Sequence, residues 1–452
     1  MPGKEGKKFL GPSRILALGY LSIIACGTIL LSLPQATAAG GRLALIDSLF
    51  TATSAVCVTG LTTKNTAVAF SPFGKLVILS LIQIGGLGYM TFSTIISLLI
   101  GKRLSLRDRL IMAEAYNVLS LSGLVRFTKT IFKITLAMEF LGAFVLFSRW
   151  LPQMTPRKAL FHAIFQSVSA FNNAGFSSFP NNLTSYGNDL TVNLTIMILI
   201  VMGGIGYIVI SDTYRFVTGQ VVSLSFHSKM VYTVTCVLIM GGAFLFYSLE
   251  STNPGSIGNL PFTQKALASL FQSITTRTAG FNTIDISSLR QPTLFLFILL
   301  MFIGASPGGT GGGIKTTTFF VMSSALWCTM RGQRDATAFR KRIPDESVGK
   351  SFFIAMSGMM FIIVITILIL GFESGPLLRC LFESVSAFGT VGLSTGNGKG
   401  LSFVATYGST GKFFITSLMY IGRVGPLTIG SAFIYKRRVK MYKYPEGKVL
   451  VG

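Results

Sequence analysis

The chain has 452 residues, of which 50% are hydrophobic and only 12% are charged, about half the charged fraction of a soluble globular domain. This composition excludes an ordinary soluble protein and predicts a polytopic membrane protein, because several apolar runs reach the roughly 20 residues that cross a bilayer. The net charge of +24 is divided among short loops, so no nucleic-acid partner is expected. The scattered cysteines and two isolated histidines indicate neither a metal site nor a disulfide framework.

Four consecutive units are predicted, each with a span, a short apolar helix, a glycine loop and a second span. In the first unit, a span over 16–33 precedes a short helix and loop over 45–61 and a return span over 73–100. The short helices cannot cross, and non-helical backbone at membrane depth is tolerated only where protein or water surrounds it. The fold class is therefore an all-α membrane protein with eight spans and four re-entrant loops around one pore. The units cover residues 1–110, 111–228, 229–345 and 346–452.

The loops carry the strongest repeated signal. The fourth, Phe388-Gly389-Thr390-Val391-Gly392-Leu393, resembles the ion-selective loop of a potassium channel, in which backbone carbonyls replace the water shell of an ion. Each loop follows a phenylalanine and closes on a glycine; the pairs are Phe50 and Gly60, Phe165 and Gly175, Phe271 and Gly280, and Phe382 and Gly392. A second glycine motif recurs in the same order at 84–88, 202–206, 303–305 and 421–425. Two motifs that recur together four times indicate a repeated unit.

We expect the three residues before each closing glycine to present carbonyls to a cation, because glycine tolerates the unusual backbone that such a loop requires. The predicted filter residues are Cys57, Val58, Thr59, Gly60, Asn172, Asn173, Ala174, Gly175, Arg277, Thr278, Ala279, Gly280, Gly389, Thr390, Val391 and Gly392. Only one glycine is shared by all four loops, so looser coordination than in a tetrameric channel is expected. The alternative, close helix packing through glycine, would not explain the preceding short helices.

The third unit departs from the others, because its second span is interrupted. An apolar segment over 293–303 is about 16 Å long as a helix, roughly half the hydrocarbon core, and helix-breaking residues follow. We interpret the intramembrane loop over 304–317 as a gate on the cytoplasmic side of the filter; a plain kink is the alternative. The predicted gate residues are Gly304, Ala305, Ser306, Pro307, Gly308, Gly309, Thr310, Gly311, Gly312, Gly313, Lys315 and Arg423.

Charged residues at membrane depth are costly and need partners. Arg423 reaches about the depth of the break, so its donors are expected to meet the loop carbonyls of 308–313. Glu383 and Arg277 are expected to brace the filter, and Glu139 to have a buried partner. Most Lys and Arg residues fall on one side, in segments 4–14, 102–133, 215–229, 331–350 and 436–448. This distribution predicts that both termini are cytoplasmic and that the basic loops contact anionic lipid.

These residues together resemble a known family. Phe-Asn-Asn-Ala-Gly-Phe at 171–176, Thr-Arg-Thr-Ala-Gly-Phe at 276–281 and the glycine-rich break at 304–313 are similar to the Trk/Ktr/HKT potassium transporters, above all to the membrane subunit of the bacterial Ktr uptake system. The resemblance implies K⁺ uptake across the bacterial cell membrane by a homodimer with one pore per subunit. It also implies an octameric cytoplasmic ring of RCK-type, KtrA-like regulatory subunits that bind ATP or ADP. Whether Na⁺ is required or carried stays open.

Two other functions are weighed against this one. An inverted-repeat secondary cation carrier also contains broken helices, although four loops of like orientation favour a pore. A nucleotide-binding membrane enzyme is suggested by Gly308-x4-Gly313-Ile314-Lys315-Thr316, but a phosphate loop requires adjacent Gly-Lys after a strand. Here Ile314 intervenes and both flanks are membrane helix. No enzyme, no catalytic residue and no nucleotide on this chain are therefore expected.

Overall fold

The computed structural model describes residues 11–100, 108–112, 123–396 and 401–433. Within them, the helices of eight residues or more that have defined ends fall into four consecutive groups of four. Group 1 contains α1 (Pro12–Ser32), α2 (Leu45–Val56), α3 (Pro72–Leu87) and α4 (Tyr89–Leu99). Group 2 contains α5 (Leu124–Trp150), α6 (Pro156–Phe171), α7 (Leu190–Gly204) and α8 (Tyr207–Val217). Group 3 contains α9 (Phe226–Glu250), α10 (Phe262–Thr275), α11 (Gln291–Phe302) and α12 (Thr316–Met330). Group 4 contains α13 (Asp345–Phe372), α14 (Leu377–Phe388), α15 (Ser409–Val424) and α16 (Pro426–Phe433).

The remaining elements are short. They are an α-helical turn at Thr66–Ala69, 3₁₀ turns at Pro34–Ala36, Thr184–Tyr186, Ile286–Ser288 and Phe403–Thr406, and strands β1 (Thr337–Ala338) and β2 (Lys341–Arg342). The two strands pair antiparallel between groups 3 and 4, and the other regular elements of the described residues are helical. The predicted basic positions at 4–8, 102–107 and 436–448 lie outside the described residues.

Four helices of the described chain, α1, α5, α9 and α13, are each long and apolar enough to cross a membrane alone. Three more crossings are available if the bent pairs α3–α4, α7–α8 and α15–α16 each count as one span. These pairs bend by 96°, 100° and 94°, so each return span predicted there is two helices at nearly a right angle. The bends follow Gly88, Gly206 and Gly425, whose φ angles of 78°, 96° and 91° only glycine adopts readily.

The short helices α2, α6, α10 and α14 occupy the centre of the molecule. Each packs against the long first helix of its own group. The third helix of each group also packs against the short helix of the next group: α3 on α6, α7 on α10, α11 on α14 and, to close the cycle, α15 on α2. A salt bridge of 2.9 Å between Lys412 on α15 and Asp47 on α2 fixes this last contact. The four groups therefore form a closed ring.

Candidate cation site

The four glycine loops share one unusual backbone. In each, the closing glycine and the residue two places before it have positive φ, whereas the residue between them does not. The values are 51° and 93° at Val58 and Gly60, 56° and 70° at Asn173 and Gly175, 66° and 73° at Thr278 and Gly280, and 50° and 91° at Thr390 and Gly392. Positive φ is uncommon outside glycine and costs energy. Alternating handedness gathers successive N–H groups on one side of the chain and leaves the carbonyls on the other.

A hydroxyl group from the preceding short helix lies behind every loop. Ser54 Oγ accepts from Gly60 N at 3.0 Å, and Ser386 Oγ accepts from Gly392 N at 3.1 Å. Each hydroxyl also donates to the carbonyl that follows its glycine: Ser54 to Leu61 (2.8 Å), Ser169 to Phe176 (2.6 Å), Thr275 to Phe281 (2.6 Å) and Ser386 to Leu393 (2.6 Å). These four hydroxyl residues were not predicted from the sequence. Their signal was a Ser or Thr five or six places before each closing glycine.

The closing glycines meet in cyclic order. An ideal Cβ built on each would clash with the carbonyl oxygen before the next glycine: Gly60 with Ala174 at 2.6 Å, Gly175 with Ala279 at 2.8 Å, Gly280 with Val391 at 2.3 Å and Gly392 with Thr59 at 2.0 Å. All sixteen residues predicted from the sequence to form a filter are buried, and the structure brings the four loops together around one axis. No side chain fits at the four glycines without displacing backbone.

Both charged side chains beside this ring keep one buried atom, Glu383 Oε2 and Arg277 Nε, without a hydrogen-bond partner in the described residues. Glu383 accepts from Ser394 Oγ at 2.6 Å and from Thr395 N at 3.0 Å, which ties α14 to the chain just beyond its loop. Arg277 is also buried, yet its Nε has no hydrogen-bond partner in the described part of the chain. Glu383 therefore makes the bracing contacts expected from the sequence, whereas the structure gives Arg277 Nε none.

Two cavities lie on opposite sides of the ring. One, of about 950 Å³, is lined by Gly60, Gly280 and Gly392 together with residues that follow the loops, including the carboxylates Asp189 and Asp285. The other, of about 600 Å³, is lined by the chain between α11 and α12, by Arg423 and Lys315, and by the bends after α3 and α15. A path along the axis from one cavity to the other must pass the four glycines and then the chain between α11 and α12.

The chain between α11 and α12 lies directly against the ring. Gly312 N donates to Thr390 Oγ1 at 2.9 Å, and Thr310 Oγ1 donates to Phe171 O at 3.3 Å. A Cβ on Gly311 would lie 2.0 Å from Thr278 Oγ1. The segment therefore touches the loops of groups 3 and 4 and the end of α6, on the side away from the larger cavity.

The same segment is held by the ends of other helices. Ser306 N and Thr310 N donate to Gly204 O and Gly203 O at 2.9 and 3.0 Å, and Gly313 N donates to Gly422 O at 3.3 Å. Carbonyls at a helix C-terminus lack intrahelical donors, so this loop supplies what α7 and α15 leave unpaired. The sequence suggested a flexible loop; in the structure it is hydrogen-bonded at several points.

Both cations near the loop donate to its carbonyls. Arg423 donates through its two terminal nitrogens to Thr310 O and to Gly85 O, and Lys315 Nζ donates to Gly311 O at 2.7 Å. Thr310 lies within the range 308–313 that the sequence analysis expected Arg423 to reach. Gly85 does not, because it belongs to group 1, and counting along one unit cannot predict a contact between groups.

The comparisons with known proteins identify the family of this chain. The family described as "TrkH: Cation transport protein" matches residues 22–441. The chain is 40% identical over 442 residues to Ktr system potassium uptake protein B of Bacillus subtilis, covering 98% of this chain and 97% of the relative. It is 38% identical over 451 residues to the protein of the same name from Vibrio alginolyticus, covering 100% and 97%. It is 34% identical over 459 residues to the potassium/sodium uptake protein NtpJ of Enterococcus hirae, covering 99% of each.

The fold agrees as well. The crystal structure of the potassium transporter TrkH from Vibrio parahaemolyticus superimposes with a TM-score of 0.75 at 17% identity, covering 96% of this chain and 87% of that one. The family match and the full-length relatives define the class of protein: a membrane transporter, not an enzyme. The chain belongs to the TrkH family of cation transport proteins. The two Ktr proteins named above are similar to it over nearly their full length.

Proposed function

We propose that the protein takes up K⁺ across the bacterial cell membrane through a channel-like pore whose filter is the ring of four glycine loops. The closed ring carries the proposal, because four equivalent loops present backbone oxygens around one axis. Ktr system relatives at 40% and 38% identity favour K⁺ as the transported ion. The name of the Enterococcus hirae relative makes Na⁺ the ion to test as a requirement or second cargo.

The architecture that this function needs is four pore units, 1–110, 111–228, 229–345 and 346–452, with eight spans. Seven crossings would be α1, α5, α9, α13 and the three bent pairs; the eighth would be α11 and α12, interrupted by the loop. The short helices α2, α6, α10 and α14 have 12 to 16 residues, or roughly 18 to 24 Å. That is less than the hydrocarbon thickness, so they would enter and turn back as pore helices.

The chain over 304–317 would act as the gate. It lies against the ring and between the two cavities, so an ion leaving the filter would meet it first. Arg423 and Lys315 would hold it in this obstructing position through Thr310 O and Gly311 O. Movement of this segment, rather than of whole helices, would open the path.

The surroundings of the pore are also proposed. Positive charge on one side supports cytoplasmic termini and contact with anionic lipid. The words "Ktr system" in the names of two relatives support a separate regulator, which we take to be an octameric, RCK-type, KtrA-like ring that binds ATP or ADP, on a homodimer of this chain. This chain itself would bind no nucleotide.

Rubidium uptake by proteoliposomes that contain only this protein tests the proposal, with external Na⁺ varied. We expect uptake that K⁺ competes for and that empty liposomes lack. Equal competition by K⁺ and Na⁺ at all concentrations would contradict a filter. An inverted-repeat carrier would instead show uptake strictly coupled to a second ion and no unitary currents in planar bilayers.

A further inference from the structure

A buried carboxylate stands behind the second loop, on the side away from the axis. Glu139 lies in the middle of α5 and is only 7% exposed. It forms no salt bridge with any residue that the structure describes. Its backbone carbonyl accepts from Ser167 Oγ at 2.6 Å, which fixes α5 to α6. The sequence predicts a buried partner for Glu139; the structure provides two, Gln83 and Asn172, and neither is a cation.

The two partners are amides, and together with Glu139 they form a closed ring of hydrogen bonds. Asn172 Nδ2 donates to Glu139 Oε1 at 2.9 Å and to Gln83 Oε1 at 3.0 Å. Gln83 Nε2 completes the ring by donating to Glu139 Oε2 at 3.2 Å. Gln83 belongs to α3 of group 1, whereas Asn172 is the first predicted filter residue of group 2. The ring therefore joins two groups at the filter itself.

This ring constrains which chemical group can occupy position 139. The same Asn172 atom meets both other members, and each amide offers one donor end and one acceptor end. If residue 139 were an amide, every orientation of the three side chains would leave one contact between two donors or two acceptors. A carboxylate accepts at both ends and satisfies all three contacts. A glutamate is thus required by the hydrogen-bond pattern and not merely tolerated.

The ring also controls a side chain that has little else to hold it. Asn172 Oδ1 is buried and has no hydrogen-bond partner among the described residues. It lies against Gly86, where a Cβ would come within 2.0 Å of it. Asn172 Nδ2 also donates to Val168 O in α6, so its two hydrogens are shared among three acceptors. Besides that bond and the contact with Gly86, the hydrogen-bond ring sets the orientation of Asn172. The next residue, Asn173, already has a φ of 56°, so a change in Asn172 is transmitted directly into strained filter backbone.

We propose that Glu139 is a positioning residue for ion selectivity: with Gln83 it holds Asn172, and thereby the second filter loop, against the first group. This inference rests on the proposed function, because it assumes that the loop at 172–175 contacts the ion. Glu139 itself touches neither the ion nor the axis. Loss of its acceptor pattern would widen or tilt one of four loops and weaken the preference for K⁺ over Na⁺.

A residue exchange provides a sharp test. Glu139→Gln alone leaves one mismatched contact, and Gln83→Glu alone sets two carboxylates against each other. The double variant Gln83→Glu/Glu139→Gln contains the same atoms and charge as the original protein, and all three contacts can form again. We expect Glu139→Gln to lower the K⁺/Na⁺ permeability ratio by at least about fivefold, the low end of the cost of one mismatched buried hydrogen bond. Gln83→Glu, which opposes two carboxylates, should lower the ratio at least as much, and the double variant should restore it.

All four proteins are measured in proteoliposomes, with uptake normalised to folded protein and with unfolding temperature recorded in parallel. Single variants that keep the original ratio would overturn the proposal, as would a folded double variant that fails to recover it. Variants that change unfolding temperature but not selectivity would also overturn it, by showing that the ring serves only stability. If the unaltered protein shows no preference for K⁺, the proposed function fails first, and the role of Glu139 in selectivity fails with it.

Discussion

Arg423 provides the most direct perturbation of the proposed gate. Its guanidinium joins Thr310 O in the loop to Gly85 O at the end of α3. Arg423→Ala removes both bonds and leaves Thr310 O dependent on water. Of the two bonds that Arg423 makes, only the one to Thr310 O is lost when the loop moves, because Gly85 does not belong to the loop. We therefore expect the substitution to favour the displaced, conducting state.

The size of this effect follows from that single bond. A hydrogen bond to a charged group contributes about 1.5 to 3 kcal/mol, which shifts a two-state equilibrium by roughly 10- to 150-fold. Arg423 is only half-buried, so water compensates in part and the lower end of that range applies. We expect basal rubidium uptake per folded molecule to rise about tenfold without any regulator. Basal uptake by Arg423→Lys should lie between that of the original protein and that of Arg423→Ala, because one ammonium cannot bridge two carbonyls as the planar guanidinium does.

The assay is initial-rate rubidium uptake in proteoliposomes, normalised to folded protein by size-exclusion chromatography. Lys412→Ala is the matched control: it removes a cation from the same helix, and its partner is Asp47 on α2 rather than the loop. We expect Lys412→Ala to lower stability without raising uptake per folded molecule. Equal uptake in Arg423→Ala and the original protein would refute the reasoning and leave Arg423 as a packing residue.

Three further predictions concern the four glycine loops and the chain between α11 and α12. Gly392→Ala places a Cβ 2.0 Å from Thr59 O at a φ of 91°, so the K⁺/Na⁺ permeability ratio should fall. The control is Gly371→Ala, where no atom lies within 4 Å of the added Cβ, and it should leave that ratio unchanged. Ser386→Ala removes the partner of Gly392 N and Leu393 O and should also lower that ratio, whereas Ser357→Ala on the exposed face of α13 should not. Deleting 305–312 should raise basal rubidium uptake. The ends left by the deletion lie side by side, because Gly304 N donates to Ile314 O at 2.8 Å. Unchanged uptake by the folded deletion variant would contradict the gate.

The sequence predicted the local elements of the repeated units, such as the short helices and the break in the third unit. The short helix and loop predicted over 45–61 begin with α2, Leu45–Val56, and the break predicted after 303 follows α11, which ends at Phe302. Both signals are strong for physical reasons: apolar runs set helix length, and serial glycine with proline stops a helix. The bends were not predicted. Gly88, Gly206 and Gly425 were visible in the second motif, but a glycine in an apolar run can equally serve close packing.

Contacts between groups were beyond reach of the sequence. Nothing in it pairs Gln83 with Asn172, or Arg423 with Gly85, because these residues lie 89 and 338 positions apart. Such contacts depend on the cyclic order of the groups, which a linear repeat does not state. The hydroxyls behind the loops were a different omission. They recur with the motif, and their role could have been inferred from the need to pair N–H groups turned away from the axis.

The interrupted helix distinguishes the third group of the proposed pore from the others, and its contacts explain how closure and ion entry would compete. The loop donates to Gly203, Gly204 and Gly422, and Arg423 donates to Gly85, so these carbonyls at the ends of α3, α7 and α15 are paired while the loop is in place. A displaced loop leaves the carbonyls of α7 and α15 without donors in a narrow, polar space. Water around an entering cation can satisfy those carbonyls, and the cation is favoured by the negative end of each helix dipole. The groups that hold the gate shut would then be the same groups that receive the ion when it opens.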